Sequence, residues 1–103
     1  MKYEELERAV ISWASDRKII QNGTATSQLL KAIAEMGELA DAFNKGDRAG
    51  IVDGLGDVIV CLINFSEIEG LNLADCLESA YNEIKDRKGT LMPNGVFVKE
   101  ESK

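Results

Sequence analysis

The chemistry this sequence can offer rests on four carboxylates. Glu35 and Glu38 lie in EMGELADAF, and Asp53 and Asp57 bound the short string DGLGD. In a helix, residues three or four apart share a face, so each pair presents two acids on one side. Lys31 falls on the stripe of Glu35 and Glu38, away from the apolar stripe of the same segment. Asp57 runs directly into the apolar residues Val58 to Phe65, and a carboxylate taken out of water is costly unless it is paired or bound to a cation. Helical neighbours cannot pair it, because no Lys or Arg occurs from Ala49 to Glu83, whereas that stretch holds seven acids. The balancing charge must come from another segment or from a cation. The chain contains no histidine, so four converging carboxylates would form a hard, all-oxygen site that favours Mg²⁺ or Mn²⁺ over zinc or copper. A solvated acidic face for Glu35 and Glu38, and complementarity to the helix dipole for Asp53, are the structural alternatives.

The elements that would position these residues read as helices. Tyr3, Leu6, Val10 and Trp13 recur at helical spacing, which predicts a first helix from Tyr3 to Ile20 closed by QNG. A second helix follows the TATS cap region, with Leu29, Ile33, Met36, Ala40 and Phe43 as its core stripe and KGD as its stop. The third, from Ala49 to Glu69, contains VIVCLINF and is apolar on nearly every side, so it should be buried on every side. Asn72 is placed to cap a fourth helix that ends at DRKG, with Gly89 just past its end. The remainder, TLMPNGVFVKEESK, predicts a short hairpin or an extended arm around Pro-Asn-Gly. The expected organisation is an all-α four-helix domain over residues 1–89 and a C-terminal arm over 90–103.

Composition narrows the partners. The 103 residues suit one domain, and a chain of this size buries only about 60 to 65% of its unfolded surface. An all-round apolar helix is then hard to cover with three others, which predicts a homodimer or homotetramer that completes a shared bundle. A net charge of −6 disfavours nucleic-acid polymers and anionic membrane surfaces, and it suits cations or substrates carried by cations. No uncharged apolar run of the length of a membrane span and no signal-peptide pattern is read, so a cytoplasmic location is expected. Cys61 and Cys76 read as two reduced core thiols. The glycines of AGIVDGLGD lack the Gly-Lys-Ser/Thr of a P-loop, which argues against a kinase or motor ATPase.

The three blocks QLLKAIAEMGELADAF, DGLGDVIVCL and AYNEIKDRKG, in this order and spacing, resemble the MazG-like all-α nucleoside triphosphate pyrophosphohydrolases, most of all the small stand-alone phage and bacterial members. The resemblance spans Trp13 to Gly89. It implies Mg²⁺-dependent cleavage of a nucleoside triphosphate between its α and β phosphates, giving a monophosphate and pyrophosphate. The family's ExxE falls on Glu35 and Glu38, either of which could partner the attacking water, and the aspartate closing its second acidic motif falls on Asp57. The sequence departs from the family at Ala34, where a glutamate is usual, and at Gly54, where the second motif usually has its first acid. Asp53 stands one residue off that register. The resemblance further implies substrate contacts at Asn82 and Lys85 and extends them to Lys88, while Lys31 could meet a phosphate and Trp13 a base. A phosphoribosyl-ATP pyrophosphohydrolase of the same superfamily is a second enzymatic reading. A non-catalytic acidic binding or adaptor module, with its metal ligand lost at Gly54, is the reading from a different class.

Overall fold

A computed structural model describes residues 1–100. In chain order they form α1 (Tyr3–Asp16), a single turn α2 (Ile19–Asn22), α3 (Ala25–Asn44), α4 (Arg48–Ile68), α5 (Leu73–Ile84) and a hairpin of β1 (Gly89–Leu91) and β2 (Phe97–Lys99). The all-α architecture with a terminal hairpin is as expected.

The centre of the fold is the antiparallel pair α3 and α4, joined by only Lys45, Gly46 and Asp47. Both helix starts are capped by side chains that accept otherwise unsatisfied amides. Thr24 Oγ1 accepts from Ser27 N at 3.1 Å, and Asp47 Oδ1 accepts from Gly50 N at 3.0 Å. The two helices meet along small residues, with Ala32 and Ala42 buried on α3 and Gly54 and Cys61 buried on α4. A Cβ on Gly54 would stand 3.0 Å from Leu39 Cβ and 3.1 Å from Leu39 Cα. One on Gly50 would stand 2.9 Å from Ala42 Cβ. Glycine at these positions is therefore what lets the backbones approach.

This seam corrects the reading of α3. The large apolar stripe is not its inner face within one chain: Ile33 is 64% and Phe43 71% exposed, with Leu29 and Met36 also outward. Nor is α4 buried all round, since Val52, Leu55 and Ile59 are exposed. By length and mean hydropathy α4 is long and apolar enough to cross a membrane, although Asp53 and Asp57 keep it from being the uncharged run that the sequence reading looked for. It would have to carry both Asp53 and Asp57 into hydrocarbon, at about 2.5 to 3.5 kcal/mol for such a charge near the centre.

Other boundaries shift for local reasons. The first helix stops at Asp16 rather than Ile20, because Lys18 turns to a left-handed conformation with φ 65°. Gln21 Nε2 then donates to Ser15 Oγ at 2.8 Å across the break. α5 ends at Ile84, and Gly89 opens β1 instead of closing the helix. In the hairpin, Pro93 and Asn94 occupy the corners of a turn closed by Gly95 N donating to Met92 O, and Gly95 takes φ 85° as the bulge residue that β-branched or bulky side chains avoid. Cys61 is buried but Cys76 is exposed, so only the first is a core thiol.

Replacing Gly54 by alanine should lower stability by about 1 to 3 kcal/mol, because the added methyl overpacks against Leu39. The gain in helix propensity, about 1 kcal/mol, does not cancel that strain where the clash reaches a backbone atom. Urea unfolding of the two proteins measures it, and unchanged or raised stability would show that α3 and α4 separate freely.

Candidate functional site

The register of the α3–α4 seam decides where the acids go. Ala42 meets Gly50 and Leu39 meets Gly54, so one and two turns away Glu38 and Glu35 approach Asp53 and Asp57. All four line one cavity of about 340 Å³, together with Asp41, Lys45 and Asp47. Gly54 also lines it, through backbone alone, so the glycine offers no ligand, while Asp53 reaches the same cavity from the preceding position. Among the described residues no three acidic side chains stand close enough together to hold a metal ion as they are.

The electrostatics agree with a site held under like-charge strain. Glu35 has its pKa raised above the usual glutamate range, first by a hydrogen bond with Glu38, then by burial and by the charges of Glu38 and Asp57, with Lys31 opposing. Lys31 is thus beside Glu35, as the stripe predicted, but it does not line the cavity. Lys45 Nζ is 2.8 Å from Asp41 Oδ2, and the Lys45 pKa is raised first by that hydrogen bond and then by the charges of Asp41 and Asp47. Burial pushes the Cys61 thiol up, which keeps it an inert neighbour of the acids. Asp41, Lys45 and Asp47 were not among the predicted site residues. The spacing from Glu38 to Asp41 to Lys45 continues the ExxE face by helical steps, and that signal was available in the sequence.

Asp57 also borders a second, apolar cleft of about 390 Å³ between α1 and α4, lined by Leu6, Ala9, Val10, Trp13 and Val60. One aspartate therefore separates a carboxylate-lined cavity from an apolar one. Trp13 is 46% exposed rather than a core residue, with Arg17 Cζ 4.5 Å above its ring and Arg17 Nη1 donating to the Trp13 carbonyl at 3.1 Å. Asn82, Lys85 and Lys88 are not brought to either cavity within one chain. Lys88 instead lines a groove along the hairpin with Thr90, Val98 and Lys99.

Residues 23–92 match the MazG nucleotide pyrophosphohydrolase domain. The chain belongs to this family. The matched segment contains all of α3, α4 and α5, hence every acid of the cavity, whereas α1 with Trp13 lies outside it. The chain is also similar to an uncharacterised 18.2 kDa protein from the rep-hol intergenic region of Haemophilus phage HP1, at 30% identity over 60 residues, 58% of this chain. It covers 37% of that relative's length. No solved structure matches the chain.

Because Glu35 holds its proton more tightly folded than unfolded, its contribution to stability is full below the ordinary carboxylate value of about 4.3 and is lost as pH rises through the raised value. Carboxyl NMR should therefore place the Glu35 midpoint above that of an ordinary glutamate. In Glu38→Gln, where an amide can donate to an ionised Glu35, the midpoint should fall; an unchanged midpoint would mean that Glu38 does not control this proton.

Proposed function

We propose that this protein is a Mg²⁺-dependent nucleoside triphosphate pyrophosphohydrolase, with Mn²⁺ an alternative metal, that cleaves ribo- or deoxynucleoside triphosphates between the α and β phosphates. The observation that carries this reading is the gathering of Glu35, Glu38, Asp53 and Asp57 around one cavity within the segment that matches the family. Their chemistry fits a divalent cation: all donors are carboxylate oxygens, and the one lysine lining the cavity is already paired with Asp41. Bound there, such a cation would neutralise phosphate charge and acidify a bound water.

The protein's own groups would do the rest. Glu38 and Glu35 accept the proton of the water whose oxygen attacks the α phosphorus, and the bond to the bridging oxygen breaks as pyrophosphate leaves with its electron pair. A carboxylate whose affinity for protons is raised, as for Glu35, is a better base than an ordinary one. Lys31, beside Glu35, would carry positive charge toward the phosphates, and the cleft of Leu6, Val10 and Trp13 across Asp57 offers an apolar surface to the base. Incubation with a panel of nucleoside triphosphates, analysed by ion exchange, should give monophosphate and pyrophosphate only when metal is present. Glu38→Gln should lower that rate about a hundredfold or more. No turnover of any triphosphate by folded protein with Mg²⁺ or Mn²⁺ would overturn the proposal and favour the binding-module reading, to which Gly54 already lends an observation.

The same reading includes a homo-oligomer, dimer or tetramer. The accessible surface is 7954 Å², against about 5,700 Å² for a compact monomer of this mass. The Cα radius of gyration is 16.6 Å, against about 13 Å for a compact domain of this length. An excess of about 2,200 Å² per chain is what an obligate dimer buries, and the outward Ile33, Met36 and Phe43 of α3 with Val52, Leu55 and Ile59 of α4 supply apolar surface to cover. The basic end of α5, with Asn82, Lys85 and Lys88, would then meet the substrate from a second copy. Sedimentation equilibrium should return a multiple of the chain mass, and Ile33→Glu with Phe43→Glu should shift it toward one chain; a single-chain mass at every concentration would contradict this.

A further inference from the structure

From Asp75 to Glu100 every residue is exposed, although the stretch carries a continuous series of large apolar side chains. On α5, Leu77, Tyr81 and Ile84 recur at helical spacing, and no residue of that helix is buried. In the hairpin, Leu91 stands opposite Phe97, and both are more than half exposed, at 69% and 51%. Phe97 lies over Gly89, where a Cβ would stand 2.5 Å from its ring, so the two strands share an apolar face. β1 and β2 pair with each other, and neither packs extensively on a helix of the chain. A two-stranded hairpin alone in water is marginal at best, and soluble chains seldom leave contiguous apolar surface uncovered.

Asn72 fixes how this arm leaves the body. Its Nδ2 donates to Glu7 Oε1 on α1 at 2.8 Å, and its Oδ1 accepts from Asp75 N at 3.0 Å as the cap of α5. The root of the arm is thereby tied to α1, while the outward stripe of α3 in the same chain stays uncovered.

Charge decides what the arm can meet. Residues 85–100 hold four bases against two acids, whereas residues 25–68, which span α3 and α4, hold seven acids against three bases. Two arms repel each other, and an arm and an α3–α4 pair attract. That pair also turns Ile33, Phe43, Val52 and Leu55 outward, which gives the apolar side chains of an arm a surface of their own kind. A second copy of the chain presents the acidic charge and the apolar stripe together. The surface excess of about 2,200 Å² per chain is of the size that an obligate dimer covers.

We propose that the arm, residues 73–100, docks on the α3–α4 face of a second copy, so that the two copies of a two-fold pair clasp each other. This rests on the homo-oligomer of the reading above and adds the element that holds it together. Leu91 and Phe97 seat against the outward side chains of α3 and α4. Lys85, Arg87 and Lys88 come toward the acidic cavity of the second copy, whose one lysine is already paired with Asp41.

Isotope-filtered NMR and sedimentation equilibrium of the full chain test this. In mixtures of labelled and unlabelled copies, the methyl groups of Leu91 and Val98 should show contacts to Ile33 or Val52 of the other copy. Leu91→Glu with Phe97→Glu, at positions that bury nothing within one chain, should weaken self-association about tenfold or more. Should that variant fail to fold, the contacts in the wild type decide alone. An oligomer whose affinity is unchanged in the double variant, or whose contacts between copies join hairpin to hairpin or leave the hairpin out, would overturn this proposal and leave the homo-oligomer standing. A single-chain mass at every concentration would overturn both.

Discussion

The close approach of α3 and α4 is the constraint on which the rest depends. Glycine at positions 50 and 54 removes the side chains that would hold the helices apart, and Ala42 and Leu39 fill the space directly. A three-residue connection fixes the antiparallel register, and small residues on both sides fix the spacing. Once those two quantities are set, Glu35, Glu38, Asp53 and Asp57 have no freedom to lie elsewhere. Gly54 therefore has a packing role at the position where the family usually carries an acid, and an acidic side chain there would require the helices to move apart.

The same geometry gathers six carboxylates around one cavity with a single lysine, so the folded chain holds like charges close together, and the Glu35 carboxyl is pushed up by its hydrogen bond with Glu38 and by the charges of Glu38 and Asp57. A divalent cation or a protonated glutamate lowers this repulsion, and a neutral apolar ligand would not. Asp57 ties that charged cavity to the apolar cleft under Trp13, a juxtaposition suited to a ligand with a flat aromatic end and an anionic end that reaches the acids only through a bridging cation. A nucleotide is such a molecule. The large side chains that the seam leaves outward go with a single chain that is expanded for its size.

Much of this was legible in the sequence. The spacings within EMGELADAF and DGLGD put each pair of acids on one helix face, and the short connection lets the two faces meet if the helices pack antiparallel. The caps at Thr24, Asp47 and Asn72 follow from residue type and position. The inner face of α3 was not legible, because hydrophobic periodicity finds the most apolar stripe, whereas the chain buries its smallest-residue stripe against α4. Periodicity cannot tell a face covered by the same chain from one left for another. Glu7 was hidden for a related reason: a glutamate in an acidic first helix looks solvated until the distant Asn72 is brought against it, 65 residues away in sequence. The left-handed Lys18 carried no signal, since lysine rarely adopts that conformation.

The central claim is that this seam builds a divalent-cation site from carboxylates of both helices. Calorimetric titration of Mn²⁺ into the wild-type chain, Asp57→Asn and Asp53→Asn tests it directly. The account predicts saturable binding to the wild type that weakens about tenfold or more in Asp57→Asn and also weakens in Asp53→Asn, with all three proteins folded. Binding that is absent from the wild type, or unchanged in both variants, would contradict it.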